Sequence, residues 1–273
     1  MSPRAAKWLV NGLLLAGAAA ALFPLAWMLS ASFMAPGESG TLPPPLLPAH
    51  PTWANYQALF VRAGMGRYLA NSLLVSCAIT ALSLACNLTA GYAFAKLDFP
   101  GRRALFRGVL GALVIPAQVA MLPLFLELKY LGLVNSYAGV VAPALASCFG
   151  IYLVRQFARA IPGELIEAAR IDGAGEWRIF ARIVLPLLRP AMATLAIFTF
   201  LAAWNDFMWP LIVLTGQEHY TLPVGLASLA REHAQDTELM MAGAVVTVLP
   251  ALALFLALQR YYLQGLLLGS VKG

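Results

Sequence analysis

Six apolar runs limit how this chain can fold. They cover approximately residues 8–33, 69–95, 105–127, 137–158, 188–214 and 240–260, and each can supply the roughly 20 residues that cross ~30 Å of hydrocarbon. Inside a bilayer each backbone amide and carbonyl must find its partner within the protein, so runs of this length predict helices. Of the 273 residues, 61% are hydrophobic and 11% charged, whereas soluble domains carry roughly 25% charged residues. The expected class is therefore all-α integral membrane, with six transmembrane helices. The stretch from Leu9 to Leu29 is longer than the ~7–15 residue core of a cleaved signal, so it is expected to stay as an anchor.

Basic residues orient the runs. Fourteen of the 18 lysines and arginines fall on one side: Arg4 and Lys7, Lys96 to Arg107, Arg155 to Arg189, and Arg260 with Lys272. Only Arg62, Arg67, Lys129 and Arg231 fall on the other. Both termini are thus expected in the cytoplasm. The first outer connector is proline-rich (LPPPLLPAHP, 42–51), which favours a stiff extended spacer without binding duties. The last outer connector, 215–239, carries Glu218, Glu232, Asp236 and Glu238 and is long enough to reach a partner.

Between the fourth and fifth runs lies a charged stretch that is nevertheless patterned as helix: IPGELIEAARIDGAGEWRIFARIVLP, 161–186. Pro162 is expected at the opening of a first helix and Gly173 at its close. A second helix is expected to present Trp177, Phe180, Ala181 and Val184 on one face and to end at Pro186. Glu167-Ala168-Ala169, then Gly173, then Ile183, Leu185 and Pro186, with Asp172 and Ala174 beside them, match at each spacing the EAA loop of permease subunits in ATP-binding-cassette (ABC) importers. The chain resembles that family.

Enzyme signatures are absent from the sequence. No G-x-x-x-x-G-K-[ST] phosphate loop, H-E-x-x-H pair or G-x-S-x-G elbow occurs, and Cys77, Cys86 and Cys148 lie in apolar runs without metal-site spacing. Ser72, Ser76, Thr80, Ser83 and Asn87 share one helix face in the second run. Small polar residues there suit close helix packing, with the lining of a hydrated pathway as second reading. In the fifth run, Trp204-Asn205-Asp206-Phe207-Met208-Trp209-Pro210 puts a carboxylate about 24 Å along the helix from Pro190, toward the outer side. An aromatic belt with a polar edge, a substrate-facing or gate segment, and a kink at Pro210 are all compatible with it.

That segment, with Thr221 to Leu226 (TLPVGL) and the tail QRYYLQGLLLGSVKG (259–273), is similar to the carbohydrate-type permeases, the group of the maltose-transporter inner-membrane subunits. The resemblance implies the type I ABC importer transmembrane fold with a cytoplasmic coupling helix. An N-terminal helix and outer connector would occupy 1–66, a permease core 67–262 and a cytoplasmic tail 263–273. It implies a second, homologous permease subunit, two ABC ATPase subunits, an extracytoplasmic solute-binding protein and a surrounding bilayer in a bacterial inner membrane, with no nucleic acid. ATP would be used by the ATPases and no cofactor bound here. Glu167, Ala168, Ala169, Asp172 and Gly173 would dock on an ATPase. Trp204, Asn205, Asp206, Ser76 and Thr80 are the candidate pathway residues. A glycerol phosphoester as solute, or an ion-coupled secondary transporter, are the alternatives to sugar import.

Overall fold

The computed structural model describes residues 3–232 and 236–270. The described residues are helical with no strand, and the longer helices are α1 (Pro3–Ala31), α2 (Met65–Lys96), α3 (Arg102–Ala112), α4 (Ala117–Tyr130), α5 (Tyr137–Val141), α6 (Cys148–Arg159), α7 (Gly163–Ile171), α8 (Glu176–Ile179), α9 (Arg189–Trp204), α10 (Met208–Val213), α11 (Leu222–Glu232) and α12 (Thr237–Ser270). The C-terminal tail expected over 263–273 is helical to Ser270, and its last residues, with Lys272, lie outside the described residues, as does His233.

Three helical stretches are long and apolar enough to cross a membrane: Lys7–Ala31, Met65–Lys96 and Thr237–Ala257. The other three expected spans belong to bent helix pairs, the last of them formed with the helix that precedes residues 188–214. α3 and α4 meet at 106°, Tyr137–Ala144 and Cys148–Arg159 at 43°, and Glu176–Leu187 and Arg189–Trp204 at 78°. Each bent pair counted as one span gives six. The first break falls just before Pro116, which is extended (ψ 132°) where a continuous helix needs the α region.

The chain divides into two compact units, residues 1–69 with 222–250, and residues 70–221 with 251–273. In the first, α1 is exposed along its apolar length, including Leu9, Leu13, Leu14 and Phe23. The proline-rich connector is not a free spacer. Trp27 Nε1 donates to Pro45 O at 3.1 Å and Ser30 Oγ to Leu46 O at 2.6 Å. Glu38 accepts from the amides of Ala35 (3.0 Å) and Ala49 (2.6 Å), closing the connector on itself. Asn55 Nδ2 donates to the carbonyls of Ser32 and Met34 at 3.0 and 2.8 Å. Glu238, expected on an exposed acidic loop, is instead 1% exposed and accepts from Ser39 N at 2.8 Å. Amide donors to a carboxylate form strong charge-assisted bonds, which offset part of the cost of taking it out of water.

The second unit has two apolar clusters. One joins Leu88 and Tyr92 of α2, Val154 and Ala158 of α6, Ile166 and Ala169 of α7, Ile179, Phe180 and Val184 around α8, and Leu195 of α9. The other joins Val75 and Ile79 of α2, Leu128 of α4, Val140 of α5, and Trp209 and Val213 of α10. Beside the second cluster, two asparagines lock the loops. Asn135, at φ 57°, accepts from the amides of Thr215 and Gly216 at 3.0 and 2.8 Å. Asn71 Nδ2 donates to the carbonyls of Glu218 and Tyr220 while its Oδ1 accepts from Tyr137 OH at 2.7 Å.

Candidate functional site: a helical elbow and an apolar groove

The elbow is built by its own backbone. Pro162 caps α7 in an extended conformation (ψ 134°) rather than starting it. At the other end Gly173 takes φ +77°, which L side chains reach only at a cost. Its amide donates to Arg170 O at 3.0 Å and the next amide, Ala174, to Ala169 O at 2.9 Å. Those two bonds are the Schellman closure that a glycine at this position permits. Arg170 Nε meets Glu176 Oε1 at 2.7 Å, and Tyr92 OH donates to Glu176 Oε2 at 3.1 Å, so one carboxylate ties together α7, α8 and α2. The same carboxylate raises the Arg170 pKa above its ordinary value.

The second helix of the elbow departs from the expected pattern. α8 passes into a π turn, Phe180–Val184, and continues as Leu185–Leu187, so Pro186 lies inside the helix and does not end it. Pro186 occupies the first turn after the π turn, where a missing amide is tolerated. The break comes at Leu188 (φ −86°, ψ 2°). The buried face also differs from the expected one: Ile179, Phe180, Val184 and Leu188 are buried, while Trp177 is 73% exposed and Ala181 is exposed.

Of the expected docking residues, Glu167, Ala168, Asp172 and Gly173 are exposed at the elbow, whereas Ala169 belongs to the chain's own core. The exposed apolar side chains Leu165, Ile171 (86% exposed) and Trp177 stand on the same elbow. Periodicity could not single them out, because an exposed isoleucine reads in sequence like a buried one.

A groove of about 840 Å³ opens among α2, α4, α6 and α9. Ser83, Gln118, Phe149, Phe198, Asn205 and Asp206 are among its lining, and among the described residues there Asp206 is the one charged side chain. The chain runs past it between two helix ends. α9 stops at Trp204, Asn205 caps it through Nδ2 to Leu201 O at 2.8 Å, and α10 starts at Met208. The discontinuity thus lies at 205–207, and Pro210, within the first turn of α10, does not cause it. Asp206 Oδ1 accepts from Trp209 N at a long 3.4 Å, leaving capacity toward the groove. Trp209 itself is buried, with Nε1 on Gly139 O at 3.2 Å.

Three of the candidate pathway residues lie away from the groove. Trp204 is 1% exposed and stacked on Phe200. Ser76 is buried, and Thr80 Oγ1 returns to Ser76 O at 2.7 Å. The polar stripe of α2 mostly serves packing. Asn87 bridges Ser83 Oγ (2.7 Å) and Ser147 N (3.0 Å), and α6 comes so close that a Cβ on Gly150 would lie 2.6 Å from Asn87.

Known proteins resemble this chain in sequence and in fold. The chain is 41% identical over 256 residues to the arabinooligosaccharides transport system permease protein AraQ of Halalkalibacterium halodurans, covering 93% of this chain and 92% of that one. It is 32% identical to the sn-glycerol-3-phosphate transport system permease protein UgpE of Yersinia enterocolitica, covering 93% of each. A chain from the crystal structure of a bacterial ABC transporter involved in the import of the acidic polysaccharide alginate has the same fold, with a TM-score of 0.85 at 23% identity over 96% of this chain and 98% of that one. These relatives are transport permeases, not enzymes. Residues 87–267 match the family described as binding-protein-dependent transport system inner membrane component, and the chain belongs to that family.

Proposed function

We propose that this chain is one permease subunit of an ATP-driven sugar importer, working with a second, homologous permease, two ABC ATPases and an extracytoplasmic solute-binding protein. The elbow is its contact with one ATPase and lies on the cytoplasmic side, as do both termini; the excess of basic residues flanking that side supports the orientation. The observation that carries the reading is the elbow itself. It is a closed, core-anchored turn that exposes Glu167 beside Ala168 and leaves Leu165, Ile171 and Trp177 without cover. Small residues permit close approach, the apolar side chains supply area to bury, and Glu167 supplies one charge to pair.

The groove is the chain's share of the translocation pathway. Aromatic and amide groups suit sugar rings and hydroxyls, and Phe149, Phe198, Gln118 and Asn205 offer both. A phosphoester would require a cation. The groove's described lining contains no lysine, arginine or histidine, which favours a neutral solute over the glycerol phosphoester handled by one relative.

Glu167→Ala tests the docking. Truncating one member of a buried charge pair costs about 2–5 kcal/mol, so ATPase co-purification and uptake are expected to fall steeply. Glu167 is exposed in the single chain, so membrane insertion and the melting temperature of the isolated subunit are expected to stay unchanged. Undiminished ATPase binding and uptake would remove the docking assignment.

A further inference from the structure

The geometry points to α3 (Arg102–Ala112) as a helix lying flat in the membrane interface, with Arg103 and Arg107 holding the phosphates of anionic lipids. The placement rests on the chain's being an inner-membrane component; it does not depend on the ATPase contact.

The 106° angle between α3 and α4 means that the two cannot both run along the membrane normal. α4 is the arm that crosses. Its 14 residues rise ~21 Å, the turn over residues 113–116 adds to that, and its Leu128 is packed into the far apolar cluster. α3 carries three arginines in its first two turns and is the arm left over.

Its faces divide as an interfacial helix requires. Phe106 is buried, with its ring 5.5 Å from Phe94 and the Arg155 guanidinium carbon 3.8 Å above it, which fixes the side turned to the protein. At roughly 100° per residue, Arg103 and Arg107 fall ~60–100° to one side of Phe106, and Leu105 and Ala112 ~100–120° to the other. These cationic and apolar residues are about opposite each other and exposed. Arg102 and Leu110 lie ~40° to either side of Phe106, Arg102 turned back onto Asp98 and Leu97 O and Leu110 37% exposed on the arginine side. The apolar flank continues into Leu113, Val114 and Ile115, of which Val114 is 82% exposed. Such a surface is stable against acyl chains and costly against water.

The arginines are free to act on a ligand. Arg102 is occupied by Asp98 at 2.8 Å and Leu97 O at 2.6 Å, and Lys96 by the carbonyl of Ile161. Arg103 and Arg107 have no carboxylate partner among the described residues, and Arg107 Nε reaches only its own helix, at Arg103 O, 3.4 Å. Guanidinium forks match phosphate oxygens. The uncovered apolar flank makes a lipid phosphate, rather than a free one, the occupant.

The test uses the assembled transporter in nanodiscs of mixed phosphatidylglycerol and phosphatidylcholine, with a benzophenone amino acid at Leu105 or Val114. Irradiation is expected to give lipid adducts at both positions, enriched in phosphatidylglycerol at Leu105. Arg103→Gln and Arg107→Gln should each lower that enrichment by about fivefold, and Arg103→Lys with Arg107→Lys should retain most of it. Millimolar inorganic phosphate should leave the ratio unchanged; if it abolishes the preference, the site takes a free anion and the lipid assignment is wrong. Adducts to a protein subunit, no adducts, or an enrichment unmoved by both glutamine variants would also overturn it. The readout is lipid contact, so failure here and failure of the ATPase contact are separate results.

Discussion

Asp206 is the one charged side chain among the groove's described lining, and the proposed pathway role rests on it. It accepts from the amides of Met208 and Trp209 at the start of α10, the latter at a long 3.4 Å. Asp206→Leu is expected to raise the KM for uptake about tenfold, the loss of one hydrogen bond to a charged group, with subunit assembly intact; Asp206→Asn should lose less. Uptake kinetics unchanged by the leucine variant would return Asp206 to a structural part in the belt. The sequence revealed this residue because a carboxylate in an apolar run needs a reason. Trp204, Ser76 and Thr80 do not line the groove, because neither a motif nor helical spacing says what covers a side chain. Gly173 was legible for the opposite reason: its role is a backbone angle, which depends on the residue type alone.

At the level of the element, the elbow separates what holds the chain from what the chain offers. Arg170 and Glu176 are both roughly half exposed, so their pair is worth at most about 1 kcal/mol, and the core beneath it does most of the anchoring. Ile171 is 86% exposed, and Trp177, 73% exposed, meets that core edge-on at Phe180, with ring centroids 5.7 Å apart. Ile171→Ser with Trp177→Ser is therefore expected to leave the melting temperature of the isolated subunit within a degree or two, the usual range for surface changes, while lowering the ATPase recovered with it. A marked fall in melting temperature would place these side chains in the fold instead. The helix–glycine–helix plan was readable from Pro162, the acids after it and Gly173. The face of the second helix was readable only in part: Phe180 and Val184 are buried as expected, Trp177, ahead of the π turn, is exposed, and the five-residue step from Ile179 to Val184 follows the π turn and not a 3.6-residue count. Nothing in FARIV announces such a turn.

Across the whole molecule, hydropathy marked six apolar runs as candidate spans and could not show that three of the candidates are bent helix pairs, since an apolar window has no term for direction. Pro116 marks the sharpest break, yet Pro24 and Pro250 lie within helices that pass the same test unbroken, so proline alone did not separate the cases. Sidedness can be checked directly in a background lacking Cys77, Cys86 and Cys148. Gly175→Cys on the elbow is expected to react with a membrane-impermeant maleimide only from the cytoplasmic face, and Tyr130→Cys, the exposed last residue of α4, only from the other. Labelling of both from one face would invert the topology or reduce the number of crossings.

The cluster under the elbow has a mechanical consequence. Ile166 and Ala169 share it with Leu88, Val154 and Leu195, so one compact knot of side chains is common to three separate crossings. Close-packed interiors transmit displacement with little compression. A push of an ångström delivered at Ile171 would not be absorbed locally by a soft joint; it would tilt α2, α6 and α9 together, as a lever tilts every bar bolted to its fulcrum.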